Sequence, residues 1–309
     1  MIQSLHSATT RWIDSECDDL DKALSKFAQP IDDDDDSKSS FVQKNWQIKK
    51  CFDMNQEIEL NGSTVHYNLL NCQYDQVSKG NGLEEELTTH KSFFIIVYHV
   101  KASVRYIINQ NSSAKKILRK LLNYTGKNEI IGNNFEFPSD FFIWLIHKIY
   151  KKDTLIDSSE LELEAIKSFR GNTEDSQNKV SAEGESVMNI LSTLSFLFES
   201  RQLDQLTIEI QYSEHENINL VLRSGTVKID FKPYQGIYEE DSVDSKLAKL
   251  YLLVYLEILP ILDQTYKGDK EDASWNNLAL QKFSKNIADV MQKKINVRLA
   301  ELTATDREE

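Results

Sequence analysis

Three short segments of alternating apolar and polar residues constrain the fold of this chain most strongly. They read LTIEIQY, INLVLR and TVKIDF and cover residues 206–212, 218–223 and 226–231. Because successive side chains of a strand point to opposite faces, this alternation predicts an antiparallel meander with one buried face. Ser224-Gly225 favours a two-residue hairpin turn, which would pair Leu222 with Val227.

The connection between the first two of these segments predicts a register. A five-residue loop at 213–217 would place Tyr212 beside Ile218 and Ile210 beside Leu220. All four apolar side chains then share one face, as burial of that face requires.

Other regions predict both strands and helices. Alternation within 46–73, with Asn61-Gly62 as a turn, predicts a hairpin, and the runs 93–100 and 104–109 predict buried strands. Helical spacing of apolar residues predicts helices at 5–28, 112–124, 141–150, 184–200, 245–262 and 274–302. Pro260 is expected to kink or end its helix. The fold class is therefore α+β, with small antiparallel sheets packed against long helices.

Changes in composition divide the chain into three parts. Residues 1–40 are expected to form an N-terminal helical arm with an acidic linker, because five consecutive aspartates at 32–36 repel one another and stay solvated. Residues 41–170 would form one α+β domain. The polar stretch 170–184 marks the expected boundary, and residues 171–309 would add a helix, the meander and two long helices.

A basic region in the middle of the chain is the clearest functional signal. The formal net charge is −13, yet no Asp or Glu lies between Leu87 and Asn128, where eight basic residues occur. They are Lys91, Lys101, Arg105, Lys115, Lys116, Arg119, Lys120 and Lys127. Such charge segregation favours binding to a nucleic acid or to an acidic protein partner. The alternative interpretation is an ordinary solvated helix face.

The aspartate run offers two interpretations as well. It could be a simple tether between the arm and the rest of the chain. Alternatively, its carboxylates could mimic phosphates and compete for the basic residues.

A metal-dependent nuclease is the main alternative function. Asp230 and Lys232 form a D-x-K tripeptide at the end of a predicted strand, and Asp204 or Glu209 could supply a second carboxylate for Mg²⁺. The tripeptide is common by chance, and alternation places Asp230 and Lys232 on the polar face of an ordinary strand.

Other chemistry finds little support in the sequence. No G-x-S-x-G motif occurs, and the cysteines and histidines lack zinc-ligand spacing, so no cofactor is expected apart from Mg²⁺ in a nuclease. Three cysteines without a paired framework fit a cytoplasmic protein. No segment is apolar enough to suggest a membrane span, and oligomerisation through 247–262 or 274–302 is a third possibility.

The stretch 158–232, with its polar loop SFRGNTEDSQNKVSAEG, helix and meander, resembles uncharacterised accessory proteins of bacterial phage-defence operons. The resemblance implies a cytoplasmic bacterial subunit that assembles with a protein partner and engages DNA or RNA. The expected function is therefore a non-enzymatic subunit of an antiviral assembly.

Overall fold

The computed structural model describes residues 7–31, 40–80, 83–110, 112–156, 160–173, 179–183 and 200–305. In chain order its elements are β1 (Thr10–Asp14), α1 (Leu20–Phe27), β2 (Phe41–Lys50), β3 (Gln56–Leu60), β4 (Ser63–Ser78), α2 (Glu84–Leu87), β5 (Thr88–Val100), β6 (Ser103–Ile108), α3 (Ala114–Leu121), β7 (Ile130–Gly132), α4 (Ser139–Lys151), β8 (Leu155–Ile156), β9 (Leu161–Thr173), β10 (Lys179–Glu183), β11 (Ser200–Tyr212), β12 (His215–Arg223), β13 (Thr226–Asp230), β14 (Gln235–Gly236), α5 (Val243–Leu253), a π-helix (Val254–Ile258), α6 (Leu259–Glu271) and α7 (Asn277–Thr305). This mixture of antiparallel sheets and helices confirms the α+β class.

The chain forms two compact units, and each is built from discontinuous segments. The first comprises Met1–Phe135, Gly225–Ile229 and Tyr238–Glu257. The second comprises Glu136–Ser224, Asp230–Ile237 and Ile258–Glu309. The predicted division at residue 170 differs from this arrangement.

In the first unit an antiparallel sheet has the strand order β2-β4-β5-β6-β1-β7, and β3 pairs with β4. The hairpin predicted at Asn61-Gly62 is confirmed, because Leu60 pairs with Ser63 and both turn residues have positive φ. The turn between β5 and β6 is Lys101-Ala102, also at positive φ. One face of this sheet packs against α1 and α3 in a core that includes Leu24, Phe27, Phe93, Tyr106 and Leu118.

The prediction of one helix over 5–28 is wrong for its first part. Residues 10–14 form β1, which lies between β6 and β7, and only 20–27 form a helix. The β-branched residues Thr10 and Ile13 favour an extended chain, and short strands next to a helix can imitate helical spacing. Residues 10–27 are therefore part of a core and not a separate arm. The aspartate run at 32–36 lies outside the described residues.

In the second unit β10, β9, β11 and β12 pair antiparallel in that order, β8 pairs with β9, and β14 pairs with β12. The helix α4 packs against β9 and β11. Strands occupy all three segments in which alternation predicted a meander. The expected domain boundary at 170–184 falls instead on a β9–β10 hairpin in which Val180 pairs with Gly171. The helix predicted at 184–200 lies outside the described residues, except for Ser200, which begins β11.

The predicted register of the first hairpin in this meander is wrong by two residues. Ile210 pairs with Ile218 and Ile208 with Leu220, because Tyr212 pairs with His215 across a two-residue turn. The pairing register changes between Ile210 and Tyr212, where the strands are irregular. The shift is an even number of residues, so the predicted buried face is retained.

Pro260 does not end the helix that contains it. The helix α5, the π-helix and α6 follow one another without a break, and Pro260 is the second residue of α6. Proline has no N–H to reach the carbonyl of Leu256 in an α-helix or that of Tyr255 in a π-helix. Two side chains satisfy these carbonyls instead: Asn61 Nδ2 donates to Leu256 at 2.6 Å, and Arg11 Nη1 donates to Tyr255 at 3.1 Å.

Candidate binding surface around helix α3

The helix α3 forms because its apolar residues recur at helical spacing beside a buried sheet. Ala114, Ile117, Leu118 and Leu121 are all buried against the first sheet. Lys115 and Lys116 lie on the opposite side and are exposed. Four basic residues were predicted to share one exposed face of this helix; Lys115 and Lys116 are exposed, whereas Arg119 and Lys120 are half-buried.

Arg119 is engaged by neighbouring groups of its own unit. Its Nε lies 3.7 Å from Glu129 Oε2, and its Nη2 donates to the carbonyl of Gly126. The Arg119 guanidinium is therefore partly neutralised by Glu129, which follows the acid-free region by one residue. This partner lies outside the acid-free region 88–128 and contacts Arg119 only in the folded chain.

Lys120 lies next to an aromatic pair on the sheet. Its Nζ is 5.2 Å from the centroid of the Trp46 ring, a cation–π distance. Trp46 in turn stacks on Tyr74, with ring centroids 4.4 Å apart. Asn45 has a positive φ at an irregularity between Lys44 and Gln47, where the strand is bulged.

A cavity of about 210 Å³ lies between the C-terminal ends of α1 and α3. Its polar lining includes Lys26, Gln29, Arg119, Lys120, Asn123 and Tyr124. Three basic residues thus line one cavity, and the Nζ atom of Lys120 is buried there. Helix C-termini favour cations, since the terminal carbonyls carry partial negative charge. Lys26 was not among the predicted binding residues, because α1 was expected to belong to a separate arm. The apolar face of α1, formed by Ala23, Leu24 and Phe27, is the sequence feature that indicates packing against a sheet.

A partly buried hydrogen-bond network supports one wall of this cavity. Lys26 Nζ donates to the Tyr124 hydroxyl at 3.0 Å, and Tyr124 donates to Asp14, whose Oδ2 also accepts from Tyr106 at 2.6 Å. Burial raises the pKa of both phenols well above the usual tyrosine value, and the Asp14 carboxylate adds to the effect. Both hydroxyls therefore keep their protons and hold Asp14 in place.

The remaining predicted basic residues do not all join this surface. Lys127 is exposed in the loop after α3, and Lys101 is exposed at the β5–β6 turn. Lys91 is half-buried on β5. Arg105 alternates with the core residues Val104 and Tyr106, so its side chain lies on the opposite face of the sheet from α3.

The residues of the nuclease interpretation show local structural roles. Asp230 is exposed, and its Oδ1 accepts a hydrogen bond from the Lys232 backbone N–H at 3.2 Å. Glu209 forms an ion pair with Lys167 at 3.0 Å. Asp204 lies on β11, and its buried Oδ1 has no hydrogen-bond partner within the described part of the chain. Over the described ranges, no three His, Cys, Asp or Glu side chains are grouped to hold a metal ion.

No protein-family model matches the chain, and no curated protein is a significant match to it. Among the described residues, no helix is both long and apolar enough to cross a membrane.

Proposed function

We propose that this protein is a non-enzymatic subunit of a multi-protein assembly, in bacterial antiviral defence, that binds nucleic acid through the α3 surface. The α3 surface comprises Lys115, Lys116, Arg119, Lys120 and Lys127, together with Lys26 of α1. The defence context follows from the resemblance of residues 158–232 to accessory proteins of phage-defence operons. An acidic protein partner is the alternative ligand of the same surface.

The observation that carries the proposal is the convergence of Lys26, Arg119 and Lys120 on one cavity, with Lys115 and Lys116 exposed on the same short helix. Cationic side chains bind phosphates without reading base sequence. The buried face of α3 packs against the sheet, and this packing sets the backbone positions from which its basic side chains extend.

Reversal of Lys115 and Lys116 to Glu should lower affinity for a DNA or RNA oligonucleotide at least tenfold, because two attractive phosphate contacts become repulsive. Neutral Gln replacements should lower the slope of log affinity against log salt by about 2. Fluorescence anisotropy over a salt series measures both effects. Both side chains are exposed, so thermal unfolding should be nearly unchanged.

A matched control variant makes the same change in net charge at two lysines outside the α3 surface. Lys285 and Lys293 are exposed on α7 in the second unit, and their reversal to Glu alters the net charge equally. Equal losses from the two double variants would show that α3 has no specific role. Failure of the unaltered protein to bind either nucleic acid, combined with capture of an acidic protein that the α3 variant loses, would favour the alternative ligand.

A further inference from the structure

The cavity between α1 and α3 differs from the rest of the α3 surface in shape. Lys115 and Lys116 lie on a convex helix face, whereas Lys26, Arg119 and Lys120 line a concave site. A convex cationic face can lie along a polymer of phosphates. A concave site of limited size admits a single phosphate group and the atoms bonded directly to it.

The size of the cavity sets what it can hold. A volume of about 210 Å³ corresponds to roughly seven waters at their liquid volume. This is ample for one phosphate group and part of its sugar, but a double helix cannot enter it. A phosphate in the middle of a strand carries a nucleoside on both sides, whereas a terminal phosphate carries one and can enter end-on.

The charge in the cavity also suits a terminal phosphate. A phosphate monoester carries between about −1.5 and −2 charges at pH 7, whereas a diester within the strand carries one. Three basic residues line the cavity; Glu129 lies beside Arg119, and Asp14 is linked to Lys26 through Tyr124. The more highly charged monoester is attracted more strongly to these basic side chains than a diester is.

The groups around the cations can also orient a phosphate. The side-chain amides of Gln29 and Asn123 line the cavity and can donate to phosphate oxygens. The Lys26 ammonium lies 4.2 Å from the Tyr124 ring centroid, a contact that fixes the lysine next to the cavity. Trp46, which touches Lys120, supplies an aromatic ring close by.

We infer that this cavity binds the terminal phosphate of a nucleic acid strand, so the protein prefers phosphorylated strand ends. The inference rests on the proposed function and specifies which part of the nucleic acid the cavity recognises. Lys115 and Lys116 would contact the backbone that follows the end.

The test compares single-stranded oligonucleotides of one sequence that carry a 5′-phosphate, a 3′-phosphate or only hydroxyl ends, each with an internal fluorophore. One phosphorylated form should bind about tenfold more tightly than the hydroxyl form, as expected for one or two additional charge-assisted hydrogen bonds. Replacement of Lys26 by Met, which keeps the alkyl chain on Tyr124, should remove most of this preference. Inorganic phosphate should compete more strongly than chloride at equal ionic strength.

The α3 variant with Gln at positions 115 and 116 is the matched control. It should bind all three oligonucleotides more weakly while the ratio between phosphorylated and hydroxyl ends stays unchanged. Equal affinity of the unaltered protein for all three would overturn the inference and leave the proposed function standing. Absence of binding to any of them would reject the proposed function itself. Should the Lys26 variant unfold, phosphate competition against the unaltered protein still decides the matter.

Discussion

At the scale of single residues, His215 shows how burial determines ionisation. Its side chain is buried, and its Nδ1 lies 2.7 Å from the Tyr234 hydroxyl. The neighbouring chain is packed closely, because Gly236 has a φ of +139° and a Cβ there would lie 2.5 Å from the Glu214 carbonyl oxygen. Burial lowers the pKa of His215 from 6.5 to about 4.

This pKa predicts a loss of stability in mild acid. Below pH 6.5 the unfolded chain gains a proton at His215 that the folded chain does not accept until about pH 4, so the free energy of unfolding falls as pH decreases through this window. The contribution of His215 between pH 7 and pH 5 is about 2 kcal/mol. Urea unfolding at both pH values should show a smaller decrease for a His215→Gln variant than for the unaltered protein.

The parent protein provides the comparison for this prediction. Equal pH dependence in the His215→Gln variant and its parent would contradict the assignment.

At the scale of secondary-structure elements, the helix that contains Pro260 depends on donors from outside the helix. Asn61 occupies a hairpin turn at φ +51°, and besides its bond to Leu256 its backbone N–H donates to Glu257 Oε1 at 2.5 Å. One turn residue thus fixes the β3–β4 hairpin against the π-helix within the first unit. The turn and the proline are 199 positions apart, and the sequence contains no sign of their relation.

Replacement of Asn61 by Gly isolates the side-chain hydrogen bond, because Gly also adopts positive φ. The loss of the bond to the Leu256 carbonyl should lower the free energy of unfolding by about 1 kcal/mol. In a Pro260→Ala background, position 260 regains an N–H that can donate within the helix. The Asn61→Gly replacement should then lower the free energy of unfolding by less than it does in the parent protein. Chemical denaturation of the four proteins in this cycle measures the difference, and identical costs in both backgrounds would refute the explanation.

The elements that the sequence predicted correctly are those with strict periodicity or a defined turn. The β3–β4 hairpin follows from Asn61-Gly62, and α3 follows from its apolar stripe. The errors arise where long-range structure decides. β1 is a strand because β6 and β7 flank it, and β9 carries register irregularities against β11 that disrupt simple alternation. The cationic helix could be predicted, but neither Lys26 nor Glu129 could be placed beside it from local sequence.

At the scale of the whole molecule, charge is distributed unevenly along a chain of net charge −13. Residues 41–160 hold 15 basic and 13 acidic residues, whereas residues 1–40 hold 4 basic and 10 acidic residues. Ile31, which lines the cavity beside α3, is followed directly by the five aspartates.

Replacement of all five aspartates by Asn should raise affinity for nucleic acid several-fold at low salt, because it removes negative charges that repel phosphates and compete with them for the basic residues. The gain should shrink as salt screens the charges. A control with five exposed acidic residues of the second unit changed to Asn, such as Glu162, Glu214, Glu216, Glu271 and Asp289, should give a smaller gain at equal net charge. Anisotropy measurements at several salt concentrations give the affinities of both variants. Equal gains in affinity would indicate a general effect of net charge and not a specific effect of the aspartate run.

The interior position of β1 has a consequence for synthesis on the ribosome. Thr10 pairs with Ile108 and Trp12 with Gly132, so β1 is synthesised more than a hundred residues before both of its neighbouring strands are complete. Until then its hydrogen-bonding edges are open to other chains, and the nascent protein is vulnerable to misassembly. Deletion of Thr10–Asp14 would therefore remove an internal strand of the sheet.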